Sequence, residues 1–113
     1  MQIDETRQAG TVVVAPVGRI DSTTSPLLDA HLVGLAKAGE HRVVIDFSGV
    51  DYISSAGLRV MLTLAKRTKE ARGKVALAAL GDSVRQVFEL AGFLPLFSVE
   101  ATAAEATARV LTP

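Results

Sequence analysis

The stretch that decides the fold is Arg42-Val43-Val44-Ile45-Asp46-Phe47-Ser48-Gly49-Val50-Asp51-Tyr52-Ile53-Ser54-Ser55-Ala56-Gly57-Leu58-Arg59. It opens as a β-branched run suited to a buried strand, and Ser48-Gly49-Val50-Asp51 breaks that run into a loop. From about Ser55 the period changes: Leu58, Met61, Leu62 and Ala65 repeat on one helical face, with Lys66, Arg67, Lys69 and Arg72 toward the end, where cations meet the negative pole of a helix. Gly73 is the expected stop. Strand, short loop and helix in that order is half of a βαβ unit.

Working outward, the same alternation repeats. Thr11-Val12-Val13-Val14-Ala15-Pro16-Val17 reads as a strand between Gly10 and Gly18, with Pro16 expected at its end. Ile3 to Gln8 reads as a polar edge strand, hairpinned through Ala9-Gly10. Ser25-Pro26 opens a helix carrying Leu28, Leu32 and Leu35, with Gly39 placed to end it in a left-handed conformation. Lys74 to Leu80 is a further strong strand. Ser83 and Gln86 fit a capping box for a helix with Val84, Val87, Phe88 and Ala91 on its apolar stripe, stopped by Gly92. Phe97-Ser98-Val99 reads as a short strand, and Thr102 with Glu105 as a second capping box opening a helix to about Leu111.

The order β-β-α-β-α-β-α-β-α is that of an α/β domain, with helical crossovers favouring parallel strands. A chain this short is expected to form one domain over residues 1–113, with a mixed sheet of four or five strands and helices mainly on one face. With 49% hydrophobic and 21% charged residues it is expected to fold. Twelve basic residues balance twelve acidic ones, which argues against a nucleic-acid partner. The absence of cysteine excludes disulfides and thiolate chemistry, and no apolar run is long enough to insert in a membrane, so a cytoplasmic location is expected.

Chemistry is concentrated where strand passes into helix. The Ser54-Ser55 pair falls where free amides and the helix dipole attract an anion, so a hydroxyl there can cap the helix, bind a phosphate or carry one. Capping is the ordinary role. His31 and His41 lack neighbouring Cys or a close acid cluster, so no metal site is expected and both are read as surface residues. There is no Gly-x-Ser-x-Gly elbow, P-loop or dinucleotide fingerprint, so neither catalytic residues nor a cofactor are expected. Val60 and Leu64, opposite the main helical stripe, are read as core.

Gly18-Arg19-Ile20-Asp21, Val43 to Ser48, Val50 to Leu58 and Val87-Phe88-Glu89-Leu90-Ala91-Gly92 together resemble the STAS domain family of anti-sigma factor antagonists, over essentially the whole chain. In that family the strand-to-helix loop reads Asp-Ser-Ser/Thr-Gly-Leu, and a serine kinase phosphorylates the first hydroxyl residue after the Asp. Aligned on Gly57 and Leu58, that residue is Ser55. The family's aspartate falls on Ser54 and its second hydroxyl residue on Ala56, while the aspartate of the family's Gly-x-x-Asp loop is kept as Asp21.

The resemblance implies a partner switch: the unmodified antagonist binds an anti-sigma factor that is also a serine kinase and frees a sigma factor. Phosphorylation at Ser55 ends the binding, and a serine phosphatase restores it. Asp21, Ser54, Ala56, Gly57, Leu58 and Arg59 are the expected partner-binding residues. The same resemblance leaves open a stand-alone STAS regulatory subunit of a membrane transporter or lipid-transport ATPase. A small serine-dependent enzyme is the third reading, from the hydroxyl pair alone.

Overall fold

The computed structural model describes residues 1–112. Its strands are β1 (Gln2–Gln8), β2 (Thr11–Ile20), β3 (Arg42–Asp46), β4 (Val50–Ile53), β5 (Lys74–Ala78) and β6 (Ser98–Glu100). The helices are α1 (Ser25–Lys37), α2 (Ser55–Glu70), α3 (Asp82–Leu90) and α4 (Ala103–Leu111), and a 3-10 turn spans Leu94–Leu96. The strands lie in the order β1-β2-β3-β5-β6, with β4 also beside β2. β1 is antiparallel to β2 and the other pairs are parallel, which gives the mixed α/β sheet that the sequence predicts.

The period-two pattern of the strands divides the core. Val12, Val14, Val43, Ile45 and Leu77 face the main core with Leu28, Leu32, Met61, Leu64, Val84 and Phe88 from α1, α2 and α3. The alternate residues Val13, Val44, Ala76 and Ala78 meet Ala106 and Val110 of α4 on the other side. Small alanines there let α4 lie close. Phe88 stands edge-on between Phe47 (centroids 5.8 Å apart) and Phe97 (6.0 Å), which fixes α3 against the end of β3.

Several local expectations are corrected. β4 is a sixth strand where a loop was expected. In its register Gly18 pairs with Val50 but Arg19 with Tyr52, so Asp51 is the extra residue of a bulge. Pro16 does not end β2. It falls in the gap between the residues that pair with β3 (Val12 to Val14) and those that pair with β4 (Gly18 to Ile20), where a missing amide breaks no ladder on that side. Beyond α2, Arg72 rather than Gly73 takes the left-handed conformation (φ 58°). Gly73 is required for another reason: a β-carbon there would collide with the carbonyl of His41, whose oxygen accepts from the Lys74 amide at 2.8 Å. Gly81, not the Ser83–Gln86 box, caps α3, with no side-chain bond. On α2 the buried stripe is Gly57, Leu58, Met61, Leu64 and Thr68, so Leu64 is core as expected while Leu62 is only half-buried.

Gly39 ends α1 at φ 83°, as its position predicts, and the Thr102 hydroxyl accepts from the Glu105 amide at 3.1 Å to cap α4. His31 is more than a surface residue. Its Nε2 meets Glu5 Oε1 at 2.7 Å, tying α1 to β1, and Arg7 bonds both Glu5 (2.6 Å) and Glu40 (2.9 Å).

The His31 hydrogen bond holds the Glu5 carboxyl below its ordinary value, outweighing its partial burial, and Arg7 adds to the effect. A carboxylate depressed by folding contributes stability above its unfolded pKa of about 4.3, and that contribution is lost as pH falls through the lower folded value. Thermal melts between pH 6 and 3 should therefore show a steeper acid-side loss for the wild type than for Glu5→Gln. Parallel curves would mean that the contact adds no pH-linked stability.

Candidate functional site

The ends of β2 and β4 build the site. Ile20 and Ile53 are paired in register, and the carbonyl of Ile20 accepts from the Ser54 amide at 2.8 Å, so the β2–α1 and β4–α2 loops leave the sheet side by side. Loops at the carboxyl ends of parallel strands commonly carry sites in open α/β sheets. Residues 21–24 and 54–59 therefore share one end of the molecule.

The two serines have different work. Ser54 is half-buried and extended (φ −92°, ψ 175°), and its hydroxyl oxygen accepts from the Gly57 amide at 3.3 Å, which makes it the N-cap of α2. Ser55 is the first residue of the helix and is exposed. Arg59, also exposed, lies four residues on and so on the same face of α2. Capping thus falls to Ser54, in the position where the resembled family carries an aspartate, and Ser55 remains open to solvent at the positive end of the helix.

Gly57 and Leu58 lie beneath this surface rather than on it. Both are buried, and a β-carbon on Gly57 would stand 2.7 Å from Ile20 Cγ2 and from Ile53 Cγ1. The glycine lets the helix start sit against the two strand ends, and Leu58 anchors it. Ala56 is half-buried beside Ser55.

Asp21 organises the neighbouring loop. Its Oδ1 accepts from the amides of Thr23 (2.9 Å) and Thr24 (3.1 Å), and these bonds, Thr24's first, hold the carboxyl below the ordinary carboxylate range. The Thr24 hydroxyl donates to the carbonyl of Arg19 at 2.7 Å and accepts from the Asp21 amide at 2.9 Å. Thr24 was not singled out in the sequence, although Asp21-Ser22-Thr23-Thr24 offers the signal: an acidic residue and a hydroxyl three apart, each bonding the other's amide region. Arg19 and Tyr52 were also missed. The Arg19 guanidinium lies 4.0 Å from the centre of the Tyr52 ring and its Nε 4.0 Å from Asp21 Oδ2, which places a cation–aromatic pair on the rim of the site. Among the described residues no cluster of three metal-ligating side chains occurs.

This division of labour has a measurable consequence. Ser54→Ala should lower stability by about 0.5–2 kcal/mol through loss of the cap, whereas Ser55→Ala should stay within about 0.5 kcal/mol. Gly57→Ala, forced against two isoleucines, should cost about 1–3 kcal/mol. Denaturant titrations of the three variants check the ranking, and equal losses for Ser54→Ala and Ser55→Ala would reject the assignment of the cap.

The sequence model of the STAS domain matches residues 2–106 of this chain. BtrV of Bordetella bronchiseptica, assigned as an anti-sigma factor antagonist, is 42% identical over 90 residues, which cover 80% of this chain and 78% of BtrV. The structure assigned as an anti-sigma factor antagonist of Thermotoga maritima superposes with a TM-score of 0.93 at 19% identity, covering 97% of this chain and 95% of that one. The Bacillus cell fate determinant SpoIIAA in its phosphorylated form gives 0.76 at 22% identity, covering 96% and 99%. The two superpositions carry the fold, and the family match with the BtrV identity carries the kinship: this chain belongs to the STAS domain family, among the anti-sigma factor antagonists, which are regulatory partner-switching proteins and not enzymes.

Proposed function

We propose that this chain binds an anti-sigma factor serine kinase in its unphosphorylated form, thereby releasing a sigma factor, and that phosphoryl transfer to Ser55 ends the binding until a serine phosphatase reverses it. The observation that carries the reading is the exposed hydroxyl of Ser55 at the start of α2, with capping already supplied by Ser54. The identity to BtrV and the likeness to SpoIIAA in its phosphorylated form support it. The partner surface is formed by Asp21, Ser54, Ala56 and Arg59, with Gly57 and Leu58 setting the position of the helix from below.

The chain supplies only the acceptor hydroxyl. The new bond joins Ser55 Oγ to the γ-phosphorus of the kinase's ATP, ADP leaves, and the hydroxyl proton passes to a base of the kinase. The product carries about −1.5 to −2 charges. In the free domain the helix start offers about half a positive charge, worth about 0.3–1 kcal/mol to a nearby anion, and Arg59 lies on the same helical face. The fold tolerates the group. Pressed into an interface, an incompletely paired phosphate costs several kcal/mol, enough to lower affinity by orders of magnitude. The switch on this account is direct obstruction.

Incubation with an anti-sigma factor serine kinase and ATP, followed by mass spectrometry, checks the site. Ser55→Ala should take up no phosphate and keep its partner affinity, and Ser55→Asp should bind more weakly, reproducing the switch in part. Wild-type phosphate uptake by Ser55→Ala would reject Ser55. Amide spectra should change only around the two loops on phosphorylation, and a melting point lowered by about ten degrees would point to a conformational switch instead, since that exceeds about 1 kcal/mol for a domain of this size.

A further inference from the structure

At the other end of the sheet, where α2 finishes and β5 begins, an open groove of about 860 Å³ runs between α2, β5, the 3-10 turn and the end of α4. Lys66, Lys69, Arg72, Lys74 and Arg109 line it, and no Asp or Glu does. Five of the chain's twelve Lys and Arg residues are thus gathered in one place although the formal net charge is zero. Among the described residues none of the five is ion-paired with a carboxylate, whereas Arg7, Arg19 and Arg85 each are.

Helix ends explain only part of this. The carboxyl ends of α2 and α4 each carry about half a negative charge, so together they offset about one of the five cations. Lys74 opens β5 and its Nζ donates to the carbonyl of Thr112 at the end of α4, so it serves that helix end, which leaves Lys66, Lys69, Arg72 and Arg109 as the remaining cations of the groove. Between the cations the walls are apolar: Val75 and Phe97 form part of the floor, and Pro95 and Leu96 stand on the rim, with Leu96 48% exposed.

The lining selects its occupant. A phosphate ion would leave the apolar floor uncovered. Nucleic acid of either kind would call for a basic stripe with aromatic faces for stacking, and the groove's one aromatic ring, Phe97, is buried at 9% exposure. A bilayer would meet a convex basic face, not a recess. An acidic peptide with a large apolar side chain matches both features, its carboxylates meeting the lysines and arginines while its apolar group covers Leu96 and Val75. We propose that this groove is a second docking surface, at the pole opposite Ser55, for an acidic peptide segment of a partner protein.

The test uses a fluorescein-labelled peptide, Glu-Asp-Leu-Phe-Glu-Glu-Leu-Asp, with fluorescence anisotropy on the full chain. Binding should be saturable, weaken as salt is raised, and fall about tenfold or more in the double variant Lys66→Glu, Lys69→Glu, whose exposed positions leave the core untouched. Leu96→Ser should weaken it separately, and amide shifts should map to residues 66–75 and 94–98. Because the double variant lies away from Ser55, it should still be phosphorylated at the wild-type rate, which separates this surface from the proposed switch. Absence of saturable binding, equal affinity in the double variant, shifts confined to residues 54–59, or tighter binding of phosphatidylglycerol vesicles, inorganic phosphate or an oligothymidylate would each overturn the proposal.

Discussion

The structure depends on the divided pairing of β2. Its first half is held by β3 and its second by β4, while β1 runs antiparallel along almost its whole length. Gly18, at φ 108°, stands at the change of partner and donates its amide to the carbonyl of Gly49 at 2.8 Å. That bend lets one strand carry two neighbours on the same side without a break in the chain. It also places Ile20, whose carbonyl receives the Ser54 amide and whose side chain bounds Gly57. A residue with a β-carbon at either glycine would disturb the site without touching its polar groups, through backbone strain at Gly18 and collision at Gly57.

The fold was legible wherever burial follows a simple period. β2 and β3 are β-branched runs, β5 is a short apolar run of valine, alanine and leucine, and the leucines of α1 repeat at helical spacing, so their types and approximate bounds follow from pattern. β4 was not legible for a specific reason. Val50 and Ile53 are buried while Asp51 and Tyr52 are exposed, a spacing of three that suits a helical turn and not the period of two of a strand. The bulge at Asp51 creates that spacing, and a bulge depends on the partner strand, which local sequence does not contain. The stops at Gly39 and Gly92 are left-handed as their positions predict, and only the stop after α2 differs. Glycine after a helix suggests a left-handed turn, but there Arg72 takes that conformation, and Gly73 is small because the loop carrying His41 passes against it.

The site was legible in location more than in roles. Hydroxyl and small residues at a strand-to-helix junction marked residues 54–57, yet two adjacent serines are chemically alike in a sequence. Only the extended backbone of Ser54 and the helical start at Ser55 separate cap from free hydroxyl. Asp21 was marked only by the resemblance to the family's Gly-x-x-Asp loop. Its Oδ1 is engaged by Thr23 and Thr24, so it acts by shaping the loop as well as by offering charge.

Net charge was the least informative number. A formal sum of zero implies no field only when the charges are evenly mixed, and here several are clustered. Asp21 follows β2, Asp46 ends β3, Asp82 opens α3 after β5 and Glu100 ends β6, so carboxylates collect at the carboxyl ends, while the cationic groove lies where β5 begins. On the switch proposed above, a phosphate on Ser55 would add about two negative charges to the end where these carboxylates lie. A partner suited to the unmodified surface would meet carboxylates offset by Arg19 and Arg59, and after transfer the same partner would meet an excess of negative charge. On that proposal the separation of charge makes the Ser55 hydroxyl an effective place for a switch, and the groove at the far end of α2, beyond a Debye length of about 8 Å at physiological salt, would recognise its ligand independently.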